Sequence, residues 1–289
     1  MLHTSKTSFV FFGTPQLAVY VLEELEAAGF TPKLIVTAPD GTTTRGMKLV
    51  SPPAKEWAEA RDIPLLQPET IDGTFINTLR ENSYEVFVVA AYGKILPKET
   101  LEIPKRGILN VHPSLLPKLR GASPVRSAIL ENVPETGTTI MLLDEKMDHG
   151  PVVAQAKIDI ALSDWPPRLS ILEEMLFREG GKLLAEILPD WVAGNITPEP
   201  QDDTKATFCK KIKKEDGLLD LSQDPYQNFL KIRAYEGWPG TYFFAERNGK
   251  KTRVKITDAE FKNGKLLIQK VIPEGKREMS YGEFSQPSA

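Results

Sequence analysis

Short apolar runs alternate with amphipathic stretches over the first 110 residues. The run Ser8–Phe12 is β-branched and aromatic, and a Gly-Thr-Pro turn follows it. In Leu17–Ala28 apolar residues recur every three or four positions, the spacing of a helix with one buried face. The alternation continues with strands expected at Leu34–Thr37, Pro64–Leu66, Val86–Ala91 and Ile108–Val111, and helices at Pro53–Ala60 and Phe75–Glu81. Such short, almost wholly apolar strands between helices predict an α/β domain with a Rossmann-like, mostly parallel sheet covered on both faces.

The pattern changes beyond Val111. We expect helices at Val125–Leu130 and Arg168–Ile187, the second ended by Pro189, and strands at Thr138–Leu143 and Val152–Ile158 around the polar turn Asp144–Pro151. The segment Gly194–Thr207 is polar, contains two prolines and has no periodicity, which indicates a linker. Three short β runs follow, at Tyr242–Glu246, Arg253–Ala259 and Leu266–Lys270, and predict a small all-β barrel. The expected division is therefore a first domain over 1–195, a linker over 196–207 and a second domain over 208–289.

Composition narrows the class of protein. The 289 residues are 41% hydrophobic and 26% charged, enough to build a large and a small core without covalent staples. The single cysteine, Cys209, excludes an internal disulfide framework and any zinc or iron–sulfur site built from several cysteines. No run of 18 apolar residues occurs, and residues 1–8 lack the apolar stretch of a secretory signal. These features predict a cytoplasmic protein without membrane association.

Charge is divided unevenly along the chain. The net charge of −3 combines −7 over residues 1–200 with +4 over residues 201–289, where 17 Lys and Arg face 13 Asp and Glu. Such asymmetry suggests a polyanionic partner for the basic part, although chance solvation of a small domain explains it equally well. Two basic features stand out: Arg45, in the long polar loop Pro39–Leu49, and the run of Lys210, Lys211, Lys213 and Lys214.

Chemistry-bearing residues gather where the predicted strands end. The turn after the first strand lacks the further glycines of a dinucleotide fingerprint, and no phosphate-binding G-x-x-x-x-G-K-[ST] occurs, which argues against NAD or ATP. Asn110 and His112 lie two apart at the end of a strand, so they share a face, and Pro113 keeps His112 extended. An amide beside an imidazole can stabilise an oxyanion and move a proton, unless the two residues merely cap the strand.

Asp148 is the candidate partner of this pair. It lies in a tight turn between two β runs, and from there its carboxylate could fold back, orient the imidazole and raise its basicity. Aspartate and glycine are also common turn formers, which is the alternative explanation. The neighbouring His149 is interpreted as a solvated turn residue rather than a metal ligand, because no third ligand lies near it in sequence.

Several of these segments together resemble the 10-formyltetrahydrofolate-dependent formyltransferases. The similarity rests on Phe12–Pro15, Ala91–Pro97, Asn110–Pro117, Arg120–Ala122, Thr138–Met141 and Met147-Asp148, and it extends from Phe9 to Phe284. Arg45-Gly46 with Leu49, Leu66–Glu69 and Pro273–Ser280 are most similar to the branch of this family that formylates methionyl initiator tRNA. The chain departs from the pattern of this family in two ways. His149-Gly150-Pro151 stands where the family usually has Thr-Gly-Asp, and the chain is somewhat short for the family, which suggests shorter barrel strands.

The resemblance implies a fold, a reaction and a set of roles. It implies a catalytic Rossmann-like domain and a tRNA-contacting OB-like domain in a bacterial cytoplasmic monomer. The implied co-substrate is 10-formyltetrahydrofolate, the implied acceptor is methionyl initiator tRNA, and no metal is needed. The implied catalytic residues are Asn110, His112 and Asp148. Folate binding would fall to Ser114, Leu115, Leu116 and Pro117, and tRNA binding to Arg45, Lys210, Lys211, Lys213 and Lys214. Alternatives are a formyltransferase acting on an amino sugar nucleotide, a hydrolase of formyltetrahydrofolate, and a non-catalytic RNA-binding protein.

Overall fold

A computed structural model describes residues 7–42, 49–247 and 249–286. The chain divides into two compact units. The first unit comprises residues 1–120, 136–158 and 173–208, and the second comprises 121–135, 159–172 and 209–289. The segment 196–207, expected as a linker, belongs to the first unit, and the short segments 121–135 and 159–172 belong to the second. None of the helices in the described ranges is long and apolar enough to span a bilayer.

The first unit is built on a seven-stranded sheet. Its strands are β1 (Phe9–Phe12), β2 (Leu34–Val36), β5 (Leu65–Leu66), β6 (Val86–Val89), β7 (Ile108–His112), β8 (Thr136–Leu142) and β9 (Val152–Ile158), in the order β5-β2-β1-β6-β7-β8-β9. The pairs from β5 to β7 are parallel, and β8 and β9 are antiparallel additions. A separate two-stranded ladder pairs β3 (Gly41–Thr42) with β4 (Leu49–Val50). The Rossmann-like, mostly parallel sheet predicted from the apolar runs is confirmed.

Both faces of this sheet are covered, because alternate strand residues enter two different cores. Phe9 and Phe11 pack in one apolar cluster, whereas Val10 and Phe12 pack in the other. The helices of this region are α1 (Gln16–Ala27), α2 (Pro53–Glu59), α3 (Gly73–Arg80), α4 (Lys98–Leu101) and α6 (Leu169–Ala193), and a 3₁₀ turn spans Asp203–Lys205. The predicted bounds were within two residues for α1, α2 and α3, while α4 was not predicted.

The long helix α6 continues past the residue at which it was expected to stop. Pro189 lies inside the helix, so the prediction that it ends the helix was wrong. Leu188 and Trp191 on either side are buried in the first core, and this burial offsets the hydrogen bond that proline removes. Close packing also depends on Gly180, since a Cβ there would overlap Cγ1 of Val111 on β7.

The second unit contains a four-stranded antiparallel sheet. Its strands are β10 (Thr241–Arg247), β11 (Lys250–Lys262), β12 (Lys265–Pro273) and β13 (Met279–Ser280). The helices of this unit are α5 (Pro124–Leu130), α7 (Pro225–Ala234) and α8 (Tyr281–Ser285), and 3₁₀ turns span Leu162–Asp164 and Lys214–Gly217. Phe243, Val254, Val271 and Phe284 form the core. The strands exceed the predicted runs because their ends are polar and pair across hairpins. Between β11 and β12 the two-residue turn Asn263-Gly264 has positive φ at both positions, the geometry that the Asn-Gly pair favours.

Candidate active site

The carboxyl end of β7 carries the first two predicted site residues. Asn110 pairs with Val89 of the parallel strand β6, and His112 is the last residue of β7. Both are on the sheet face opposite Leu109 and Val111, which belong to the core that α1 and α6 cover. Asn110 is half-buried and His112 is buried. The strand therefore holds a polar amide and an imidazole side by side at the sheet edge where open α/β folds bind ligands.

The neighbours of His112 fix its tautomer. Its Nε2 lies 3.1 Å from the carbonyl oxygen of Leu119. A carbonyl only accepts hydrogen bonds, so Nε2 of the neutral ring carries the hydrogen and Nδ1 carries the lone pair. The ring is thus set to accept a proton at Nδ1.

Asp148 lies beside that same nitrogen. Its Oδ1 is 3.8 Å from His112 Nδ1, and its side chain is 15% exposed. This distance is beyond hydrogen-bond length, so the two groups interact mainly through charge. Asp148 adopts a φ of 50° in the turn between β8 and β9, a left-handed conformation that is uncommon for a non-glycine residue and that recurs at functional sites. The sequence places Asp148 36 positions after His112, and the antiparallel return of β8 brings them together.

Burial and charge act on His112 in opposite directions. Desolvation lowers the pKa of the imidazole below its usual 6.5, while the Asp148 carboxylate and the Leu119 carbonyl raise it, and burial prevails. The ring is therefore neutral near pH 7. A neutral imidazole with a free lone pair beside a carboxylate is suited to general-base catalysis, because the carboxylate stabilises the imidazolium that forms.

Two further residues, Gln201 and Arg120, support the Asp148 turn, and neither of these roles was predicted. Gln201 donates through Nε2 to the main-chain oxygens of Asp148 and Gly150, at 2.9 and 2.7 Å. Its Oε1 accepts from Nε and Nη2 of Arg120, at 3.0 and 2.8 Å, and Arg120 Nη2 also contacts Asp203. Arg120 is buried, so its charge needs these partners. Arg120 belongs to a segment that carried the family resemblance, whereas Gln201 lies in the predicted linker.

His149 is not the solvated turn residue that was expected. It is half-buried, with Nδ1 2.6 Å from Asp144 Oδ2 and Nε2 3.5 Å from Asp203 Oδ2. In the described part of the chain, no three His, Cys, Asp or Glu side chains converge in an arrangement that could hold a metal ion. His149 therefore belongs to an ionic network behind the Asp148 turn.

The segment predicted to bind folate follows His112 directly and is tied to β8 and β9. Ser114 and Leu116 are buried, and Leu115 and Pro117 are half-buried. Thr139 Oγ1 donates to the carbonyl of Ser114 and accepts from the amide of Leu116. The segment is thus a rigid wall next to His112, of which Leu115 and Pro117 keep some accessible surface.

The predicted tRNA-binding residues lie in two places. Lys210, Lys211, Lys213 and Lys214 are exposed in the second unit, just before and within the 3₁₀ turn Lys214–Gly217. Arg45 lies outside the described residues.

A second basic surface, which we call the β10–β11 face, was not predicted. Tyr242 and Phe244 point away from the core and pair with Lys255 and Arg253, with Lys251 beside them. Lys251 lies over the Phe244 ring and Arg253 over the Tyr242 ring, at 4.6 and 3.7 Å. The alternation of Tyr242 and Phe244 with the buried Thr241 and Phe243, and of Arg253 and Lys255 with the buried Val254 and Ile256, was the signal for this surface.

Comparisons with known proteins agree with this architecture. The formyl transferase family matches residues 6–174, and the formyl transferase C-terminal domain family matches residues 211–265. The chain is 48% identical to the methionyl-tRNA formyltransferase of Chloroflexus aurantiacus over 81% of this chain and 75% of the relative. It is 37% identical to that of Thermodesulfovibrio yellowstonii over 96% and 95%. An N-formyltransferase of Helicobacter canadensis, solved with folinic acid and dTDP-3-aminofucose, has a similar fold, with a TM-score of 0.66 at 18% identity over 89% and 88% of the two chains.

Proposed function

This chain belongs to the formyl transferase family, and we propose that it transfers the formyl group of 10-formyltetrahydrofolate to the α-amino group of methionine on initiator tRNA, the step that primes translation initiation. The observation that carries this proposal is the 37–48% identity to methionyl-tRNA formyltransferases over most of the chain. The amino-sugar enzyme has a similar fold at only 18% identity, which supports the sheet and not the acceptor. The folinic acid bound by that enzyme supports a folate as the formyl donor.

The nucleophile needs little activation. An α-amino group titrates near ~7.7 in peptides, and the ester that joins methionine to tRNA withdraws electrons and lowers this value further. A large neutral fraction is therefore present near pH 7. The amine attacks the formyl carbon, a carbon–nitrogen bond forms, and the carbonyl oxygen becomes an oxyanion.

Asn110 and His112 then have different tasks. The Asn110 carboxamide donates to the oxyanion, a contact whose loss typically costs about 2.7–4 kcal/mol of transition-state stabilisation. His112 cannot donate from Nδ1 while it is neutral, because its hydrogen is on Nε2. It accepts the proton that the attacking amine loses and delivers that proton to N10 of tetrahydrofolate as the bond from N10 to the formyl carbon breaks. Asp148 stabilises the imidazolium between these two steps.

Folate binding is assigned to the wall formed by Ser114, Leu115, Leu116 and Pro117. The wall begins two residues after His112, and its backbone is held by Thr139, so a pterin ring against Leu115 and Pro117 would lie beside the reacting groups. We expect Leu115→Ala to raise KM for the folate more than it lowers kcat, because the contact is present before and during the reaction.

Binding of tRNA is assigned to the second unit and to Arg45. Lys210, Lys211, Lys213 and Lys214 can contact phosphates. The β10–β11 face adds Lys251 against the exposed ring of Phe244 and Arg253 against the half-buried ring of Tyr242, and cations beside aromatic rings are a combination that nucleic acids bind. We expect Arg45→Ala to weaken tRNA-dependent activity and to leave folate binding nearly unchanged. A parallel loss of folate affinity would contradict this assignment.

The test is an acceptor comparison. The protein is incubated with 10-formyltetrahydrofolate and either methionyl initiator tRNA or an amino sugar nucleotide, and formylated product is measured by mass spectrometry. Formylmethionine on the tRNA is the expected product. Formylation of the sugar instead, formate release without an acceptor, or RNA binding without transfer would each replace this proposal by the corresponding alternative.

A further inference from the structure

The residues that hold the Asp148 turn come from the segment 199–208, near the end of the first unit. Glu199 pairs with Val152 at the start of β9, and two residues later Gln201 bonds both carbonyls of the Asp148 turn. Further along, Thr207 Oγ1 accepts from the amide of Leu119 at 2.8 Å. Since the Leu119 carbonyl accepts from His112 Nε2, this one segment supports both members of the His112–Asp148 pair.

We propose that Gln201 is a positioning residue that holds the Asp148 carboxylate next to His112, and that Arg120 in turn fixes the orientation of the Gln201 carboxamide. This inference rests on the proposed reaction, in which Gln201 would act through Asp148 and not on the substrates directly.

The side chain at 201 must both accept and donate hydrogen bonds. The guanidinium of Arg120 supplies only donors, so it requires the carboxamide oxygen, and the carbonyls of Asp148 and Gly150 supply only acceptors, so they require the amide hydrogens. Of the twenty side chains, glutamine meets both demands at this reach. Glutamate keeps the contact with Arg120 and loses both donations to the turn.

The turn needs such support because its backbone is unfavourable by itself. Asp148 is a non-glycine residue at a φ of 50°, which surrounding contacts must enforce. Without the two hydrogen bonds from Gln201 the turn can relax and move the carboxylate away from Nδ1. Displacements of about 1 Å at a reacting site can cost about a hundredfold in rate.

A double-mutant cycle in kcat tests whether Gln201 acts through Asp148. We expect Gln201→Met to lower kcat by about tenfold or more in the native background, with KM for both substrates nearly constant, and by less than about threefold in an Asp148→Asn background. Equal losses in the two backgrounds would overturn the proposal, because a general structural role does not depend on Asp148.

A second variant distinguishes loss of positioning from misfolding. Gln201→Glu retains the partner that buried Arg120 needs, so we expect it to stay folded, with a cooperative thermal transition, while losing kcat as Gln201→Met does. Native kcat in Gln201→Glu would overturn the proposal. The matched control is Gln67→Met, since Gln67 also donates to a main-chain carbonyl and a second oxygen, at Ala38 and Asp40. Its cycle with Asp148→Asn should be additive.

A measurement without substrate separates this inference from the proposed reaction. In protein labelled with ¹⁵N-histidine, the imidazole nitrogens of His112 report its tautomer and its electrostatic surroundings; Asp148 is the charged group that faces this ring in the described structure. Gln201→Met should shift these signals in the direction that Asp148→Asn shifts them. Native His112 signals in Gln201→Met would overturn the positioning role whether or not the protein formylates tRNA, whereas absent formylation with shifted signals would overturn only the reaction.

Discussion

Replacing Asp148 by asparagine removes the charge beside His112 with almost no change of shape. Two unit charges 3.8 Å apart interact by about 4 kcal/mol at an effective dielectric of about 20, and the two side chains are only 6% and 15% exposed. In the proposed reaction, the carboxylate therefore stabilises the His112 imidazolium by this amount. Its loss should lower kcat by about a thousandfold, since about 1.4 kcal/mol corresponds to a factor of ten.

The assay is single-turnover formylation of methionyl-tRNA at saturating folate, compared with the native protein and with Asp72→Asn. Asp72 caps α3 through a hydrogen bond from Phe75 N, and asparagine caps equally well, so this control should keep native activity. Asp148→Asn should also lower the pKa of His112, because the carboxylate raises it. A loss of kcat below about tenfold, with the Nε2–H tautomer intact by NMR, would refute the charge argument.

Three further predictions follow from other parts of the structure. Gly180→Ala should destabilise the fold by about 1–3 kcal/mol in chemical unfolding, because its Cβ would overlap Val111, whereas Gly73→Ala, with open space around it, should not. Replacing the four lysines at 210, 211, 213 and 214 by alanine should reduce the slope of log K against log salt for tRNA binding by up to about 3, and an unchanged slope would exclude them as phosphate contacts. Stability should fall as pH drops from about 7 toward the lowered pKa of His112, because the unfolded chain binds the proton first; the slope is at most about 1.4 kcal/mol per pH unit and should diminish in His112→Gln.

Local sequence patterns predicted most of the strands and helices of the first unit. The strands β1, β2, β6 and β7 consist almost wholly of apolar residues, so their side chains must be buried on both faces of the sheet. This hydrophobicity alone implied a parallel sheet covered on both faces. The shared face of Asn110 and His112 likewise followed from the two-residue period of a strand. Features that depend on long-range packing could not be predicted in the same way. Pro189 stays inside α6 because the burial of core residues compensates for the hydrogen bond that proline cannot form.

The sequence by itself named Asn110, His112 and Asp148, but only the tertiary structure decided how they are arranged. The tautomer of a histidine depends on which of its ring nitrogens has a hydrogen-bond acceptor beside it. For His112 that acceptor is the carbonyl oxygen of Leu119, a residue that the sequence analysis did not identify. Gln201 reaches the Asp148 turn from 53 positions away, through hydrogen bonds that leave no periodic trace in the chain. Residues that are buried by hydrophobic packing recur periodically along a sequence and can be recognised there. A long-range hydrogen bond joins two groups at single positions, and only the folded chain brings them together.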